Sequence, residues 1–279
     1  MSWPTRAFLI LLVLVLILPF AMALAVSLGG DSKIQFPPTS WSLEWYGKLF
    51  TDKAWRAAMG RSLLIAFFAA TLCVSLALPI CYGVWRRQGW FSKALFGLSL
   101  SPFLLPPIIL AIGAVAFWIV MNSAAINISA WLGWQPMRVY GRTYTTIISH
   151  GVFLLPLASL IIARGFASLQ PEVIEASRTL GAHGRAVFTS VVLPLILPFV
   201  LTGFVLVFIV SLNEYLIAFQ VAGVSVETLP IRIFNDATRG GHSPILTAGA
   251  VLFASITVVS LLVLSLFTDL LKLFGSAPS

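Results

Sequence analysis

Residues 175–198 read EASRTLGAHGRAVFTSVVLPLILP, a compact, charged, glycine-marked segment that runs directly into a proline-rich apolar stretch. Just upstream, Pro171 suits the first turn of a helix, and Glu172 complements the positive end of the helix dipole. Val173, Ala176 and Leu180 recur at helical spacing and give one apolar face. Glu175 and Arg178, three apart, can pair on the other. Gly181 takes the left-handed conformation without a side-chain clash, so it is the expected stop. The spacing therefore predicts an amphipathic helix of about three turns lying across a membrane surface. Its apolar face is small and lacks the Trp or Phe of a membrane anchor, so a groove on another protein suits it better than headgroups do.

The flanking sequence supplies the membrane. Of 279 residues, 59% are hydrophobic and only 9% charged, against roughly 25% charged in an ordinary soluble domain. A soluble globule could not keep so few charges on its surface. Six apolar runs reach the length of about 20 residues that a bilayer crossing needs: 7–28, 63–85, 94–121, 144–163, 186–212 and 245–268. Together they predict one transmembrane domain over residues 1–279. The run at 7–28 is longer than a signal-peptide core and lacks a good small-residue cleavage site, so it is expected to be a retained helix. The gap from Gly29 to Ser62 has room for little more than a short interfacial helix.

The formal net charge of +8 does not indicate nucleic acid, because no basic cluster interleaves with aromatic residues. Lys and Arg instead mark loops and span ends, as in membrane proteins generally. Eight of the 17 fall on the side of the termini and nine on the other, so the count alone leaves orientation open. Cys73 and Cys81, eight apart in one apolar run, fit neither a zinc site nor a disulfide framework and are read as small packing residues. Pro19, Pro79, Pro102, Pro106, Pro107, Pro156, Pro194 and Pro198 fall within the runs, each removing a backbone donor and tending to bend its helix.

The opening segment resembles the cytoplasmic motif of permease subunits of binding-protein-dependent ABC importers: EAA, three residues, G, nine residues, I, one residue, L, P. Here Glu175-Ala176-Ser177 precedes Gly181, and nine residues later come Val191, Val192, Leu193 and Pro194. Ser177 and Val191 depart mildly from the pattern. Its place between the fourth and fifth runs is also the family's. Within the family the chain is most similar to the spermidine/putrescine type. Glu44-Trp45-Tyr46 with Leu49, the stretch FIVSLNE at 208–214, and Glu227 to Phe234 (ETLPIRIF) resemble segments of those permeases. Asn213 stands where they often carry a second carboxylate.

The resemblance implies an all-α integral membrane protein. It would have six transmembrane helices in the type I ABC importer permease fold, with a short cytoplasmic coupling helix between helices 4 and 5, in a coupling loop of about 164–190. It implies further that Glu175, Ala176, Ser177, Gly181, Leu193 and Pro194 couple the permease to a cytoplasmic ATPase dimer. ATP and Mg would be bound by that partner, with no cofactor in this chain. A second permease subunit, as a heterodimer, and an external substrate-binding protein complete the implied assembly. The setting is a bacterial inner membrane, with both termini cytoplasmic.

The residues agree that the motor lies elsewhere, since no G-x-x-x-x-G-K-[S/T] phosphate cradle occurs. No catalytic or metal-binding constellation is evident either: His150, His183 and His242 are scattered singly, and His150 is read as a packing or hydrogen-bonding residue. Glu214 is the informative charge, an acid at the end of a long uncharged run. It reaches headgroup water or faces a path for a cationic solute, where Asn213, Tyr215 and Trp118 would join it, the aromatics offering cation–π surface. A channel or secondary transporter would usually carry its working charges inside the spans. Here the most patterned segment lies outside them, which favours an ATP-driven partner. The substrate expected is a polyamine such as spermidine or putrescine, with another organic cation or an amino-acid-like solute as alternatives.

Overall fold

A computed structural model describes residues 3–223, 226–239 and 243–275, the side chains of 267–275 aside. In chain order its helices are α1 (Trp3–Ser27), α2 (Glu44–Thr51), α3 (Lys53–Arg87), α4 (Trp90–Leu100), α5 (Pro107–Trp131) and α6 (Thr143–Ala167). There follow α7 (Pro171–Thr179), α8 (Gly184–Val187), α9 (Leu193–Asn213), α10 (Leu216–Val221), α11 (Leu229–Thr238) and α12 (Ile245–Gly275). A 3₁₀ turn at Ser101–Leu104 precedes α5, and a π turn at Phe188–Val192 joins α8 to α9. Among the described residues, six helical stretches are long and apolar enough to cross a membrane: α1, α3, α5, α6, the continuous α8-to-α9 stretch, and α12.

Proline sets several of these boundaries. Pro107 opens α5 and Pro171 opens α7, positions where the missing N–H has no partner to lose. At Pro194 the lost donor and the ring's clash with the preceding turn leave a wider turn, in which the Leu193 N–H reaches back to Phe188 O. The expected third run, 94–121, is not one helix. Pro102, Pro106 and Pro107 break it, and the third spanning candidate is α5, which runs ten residues further to Trp131. Beyond the apolar run, residues 122–131 stay helical because their polar side chains find local partners. Ser123 and Ser129 donate to carbonyls one turn back, and Asn122 Oδ1 accepts the N–H groups of Val139 and Tyr140.

Residues 1–60 and 228–259 form one compact unit. In it α2 buries Trp45 and Leu49, and Tyr46 shares a 2.8 Å hydrogen bond with Ser27. Asp52 caps α3 by accepting the N–H groups of Ala54 (2.8 Å) and Trp55 (3.0 Å). Arg232 of α11 lies 5.6 Å from the centre of the Trp55 ring and pairs with Asp236.

Residues 61–227 and 260–279 form the other unit. Its core is a seam of α3, α6 and α9, in which Ala70, Cys73, Ala77 and Cys81 of α3 meet Leu154, Ala158 and Ile162 of α6, with Ile196 and Val207 of α9. Small residues let the backbones approach closely, as is usual between membrane helices. A Cβ on Gly165 would fall 2.8 Å from the Phe199 side chain, and one on Gly151 would fall 2.6 Å from Leu72. Both cysteines are buried and reduced, their thiols donating to Gly151 O and Ser159 O.

Candidate functional site

In the loop at 164–190 a short helix lies between the start at Pro171 and the stop at Gly181 that the spacing predicts. Helix α7 begins at Pro171 and stops in a Schellman motif. Gly181 sits at φ +86°, its N–H reaches Arg178 O (3.0 Å), and the Ala182 N–H reaches Ser177 O (3.1 Å). The anchoring residue is Ile174, which was not singled out in the sequence. It is 6% exposed and packs against the α3–α6–α9 core. The motif face points the other way: Val173 is 40% and Leu180 89% exposed, and Glu175 and Ala176 are exposed as well. Ser177 is half-buried and donates to Ile174 O (2.7 Å). Glu175 and Arg178 form no ion pair among the described residues, so both charges remain available. Leu193 and Pro194 begin α9, directly after the π turn. Thus the loop is held to its own bundle by one side and displays small apolar and charged groups on the other.

The second site lies where α6, α9 and α10 meet. Glu214 turns inward rather than outward, its side chain only 8% exposed. Its carboxylate accepts the Ile217 N–H at both oxygens (2.9 and 3.0 Å) and the Ala218 N–H at Oε2 (3.0 Å), capping the first turn of α10. Opposite stands His150, 1% exposed, with Nε2 at 3.3 Å from Oε2, an ion-pair distance without hydrogen-bond alignment. His150 Nδ1 lies 2.8 Å from Ser211 Oγ. These partners suit the tautomer with its proton on Nε2 facing the carboxylate, Ser211 donating to Nδ1. Glu214 is therefore a carboxylate already engaged by backbone and histidine, not one left open to headgroup water.

The other candidate residues lie around it. Asn213 is exposed and donates to Ile209 O (2.8 Å), and Tyr215 stacks on Phe219 with ring centres 5.3 Å apart. Trp118 is buried, its indole N–H donating to Ser149 Oγ (2.9 Å). It lines two cavities at once. One, of about 470 Å³, includes Phe117, Ser149, Phe153 and Ile217; the other, of about 380 Å³, includes Met121, Trp134 and Tyr144. His183 precedes α8 in the loop, and His242 lies outside the described residues.

Comparison with known proteins identifies the scaffold. Residues 75–272 match the family model of the binding-protein-dependent transport system inner membrane component. The chain belongs to this family. The permease is 27% identical over 258 residues to the putrescine transport system permease protein PotI of Escherichia coli strain K12, covering 92% of this chain and 88% of that one. It is 28% identical over 232 residues to the spermidine/putrescine transport system permease protein PotC of Haemophilus influenzae, covering 83% and 81%. In fold it resembles a chain of a bacterial ABC transporter involved in import of the acidic polysaccharide alginate, with a TM-score of 0.67 at 18% identity over 97% of this chain and 95% of that one. It also resembles a chain of the MetNI methionine ABC transporter, with a TM-score of 0.57 at 16% identity over 77% and 94%. The permease is accordingly a multi-pass inner-membrane transport subunit of an ABC importer rather than an enzyme.

Proposed function

We propose that this permease forms part of the path for a polyamine, putrescine or spermidine, and is driven by a cytoplasmic ATPase dimer that grips α7. The observation that carries the coupling half is the outward face of α7, where Val173, Ala176 and Leu180 are exposed while Ile174 pins the helix to the bundle. A helix so held passes a push to α6 and α9 as a rigid body. Glu175 meets a basic group of the ATPase. Ala176, Ser177 and Gly181 allow close approach, and Leu193 and Pro194 fix the angle at which the loop enters α9. ATP and Mg belong to the ATPase. This reading places the loop and both termini in the cytoplasm. The second permease is a different chain, and an external binding protein delivers the solute.

The polyamine half rests on the relatives' names and on the aromatic surface around Trp118. A flexible chain of methylenes between ammonium groups suits aromatic walls, which offer apolar contact and cation–π attraction together. In this reading Trp118, Asn213 and Tyr215 border the path, and Glu214 holds α10 in place beside it. The test of coupling uses Glu175→Lys and Gly181→Val at matched levels in membranes. Glu175→Lys should lose ATPase pull-down. Gly181→Val should keep insertion but lose uptake, because a β-branched residue resists φ +86° and changes the loop's exit. Uptake at the unmodified rate in both variants refutes coupling through this loop.

A further inference from the structure

Where α3 ends and α9 approaches, a cleft of about 470 Å³ is lined by Leu78, Pro79, Tyr82, Arg86, Gly184, Arg185 and Phe188. Its lining contains two guanidinium groups and no carboxylate. Arg86 is positioned rather than loose: its Nη1 donates to Tyr82 Oη at 2.6 Å, and the Tyr82 ring meets Phe188 edge-on at 4.9 Å. One of the five guanidinium donors is thereby used, leaving four free. Neither Arg86 nor Arg185 pairs with an acid among the described residues, and both are exposed.

The cleft is graded along its length. Leu78 lies eight residues before Arg86, about 12 Å along α3 at 1.5 Å per residue. Phe188 lies three residues beyond Arg185 on the chain leading into α9. Both strands of the lining therefore run from cationic to apolar, with their charges at the same end. Just past Arg87, Trp90 and Phe91 are 81% and 61% exposed, the aromatic signature of a bilayer interface. A soluble anion or an acidic side chain would use the arginines and leave Leu78, Pro79 and Phe188 uncovered. A phospholipid would use both ends: phosphate oxygens between the arginines, the first methylenes of an acyl chain against the apolar half.

We infer that this cleft is a binding site for the phosphate headgroup of an anionic phospholipid. Occupied, it bridges the end of α3 and the start of the α8-to-α9 stretch through one phosphate, so lipid composition acts on the segment that follows α7. The site depends on the chain lying in a bilayer and not on the identity of the transported solute.

The test places the full-length permease, in its assembled importer, in nanodiscs of phosphatidylcholine. Spin-labelled phosphatidylglycerol is titrated against spin-labelled phosphatidylcholine, and the fraction immobilised on the protein is read by electron paramagnetic resonance. Selective retention of phosphatidylglycerol should fall roughly fivefold in Arg86→Gln or Arg185→Gln, and about twenty-five-fold in the double variant. Arg86→Lys should fall less than Arg86→Gln, which also guards against misfolding as the cause. Arg87→Gln removes the same charge beside the cleft and should leave the selectivity in place. An equal loss in Arg87→Gln would reduce the effect to the general field of the surface and overturn the site. Displacement of the lipid by millimolar inorganic phosphate would assign the arginines to a soluble anion. Unchanged lipid selectivity in the double variant, with ATPase assembly lost, would assign them to an acidic partner surface; either result rejects the lipid.

Discussion

Replacing Glu214 by alanine removes an acceptor that two buried N–H groups share and a carboxylate that His150 faces. The Ile217 and Ala218 N–H groups lie in residues 1% and 0% exposed, so water cannot replace the carboxylate. His150 Nε2, also buried, loses its facing charge. A buried donor left unsatisfied costs about 1–3 kcal/mol, and Glu214→Ala leaves the two α10 N–H groups in that state. We take about 4 kcal/mol for Glu214→Ala, about 2 kcal/mol for each of the two N–H groups. Glu214→Gln keeps an oxygen for the α10 N–H groups and forfeits the charge, so about 1–2 kcal/mol is expected. At about 2–4 °C per kcal/mol for a chain of this size class, alanine should lower the unfolding midpoint by roughly 8–16 °C. The permease supplies its own probe. Its two cysteines, Cys73 and Cys81, are buried in the α3–α6 seam and react with a fluorogenic maleimide only on unfolding. A double-mutant cycle with His150→Ala should give less than the sum of the two single losses, because both remove the same contact. An unchanged midpoint in Glu214→Ala would refute the capping role. A raised KM for a cationic substrate with no loss of stability would return Glu214 to the path as an open carboxylate.

Two other predictions are accessible with the same preparation. Asp52 has its carboxyl held below the usual carboxylate range, chiefly by the N–H of Trp55, and further by the N–H of Ala54 and by Arg232. A lowered folded-state value gives stability that is present above about pH 4 and lost as pH falls through that folded value. The midpoint should therefore drop more steeply on acidification in the unmodified protein than in Asp52→Asn, which caps the helix without titrating; parallel profiles would contradict the cap. For topology, cysteines at the exposed positions Ser32 and Thr179 should label from opposite sides of the membrane. Labelling of both by one impermeant reagent from outside would contradict the cytoplasmic placement proposed for α7.

The helix at 171–179 was legible because its signals are local. Pro171 and Gly181 bracket α7 within one short stretch, and each has a backbone reason to stand where it does. Which face seats on the bundle was not legible. Val173, Ala176 and Leu180 form the more obvious apolar set, yet Ile174, outside that set, is the anchor. Hydrophobic length misplaced the third span, because an apolar count does not register that Pro106 and Pro107 reset the helix. Nor does it register that the serines of α5 satisfy themselves on the preceding turn. Glu214 shows the limit most clearly. Its bonds to Ile217 and Ala218 lie three and four residues away, a spacing a sequence can suggest, but its partner His150 comes from another helix and is brought there only by the packing of α6 on α9.

Coupled import is tested most directly by uptake of labelled putrescine into proteoliposomes holding the permease, a second permease, the ATPase and the binding protein. ATP is supplied on the ATPase side and ion gradients are collapsed by ionophore. Accumulation should require both ATP and the binding protein and be abolished by Glu175→Lys. Uptake that persists without ATP, that follows an imposed ion gradient instead, or that is indifferent to Glu175→Lys would contradict coupled import.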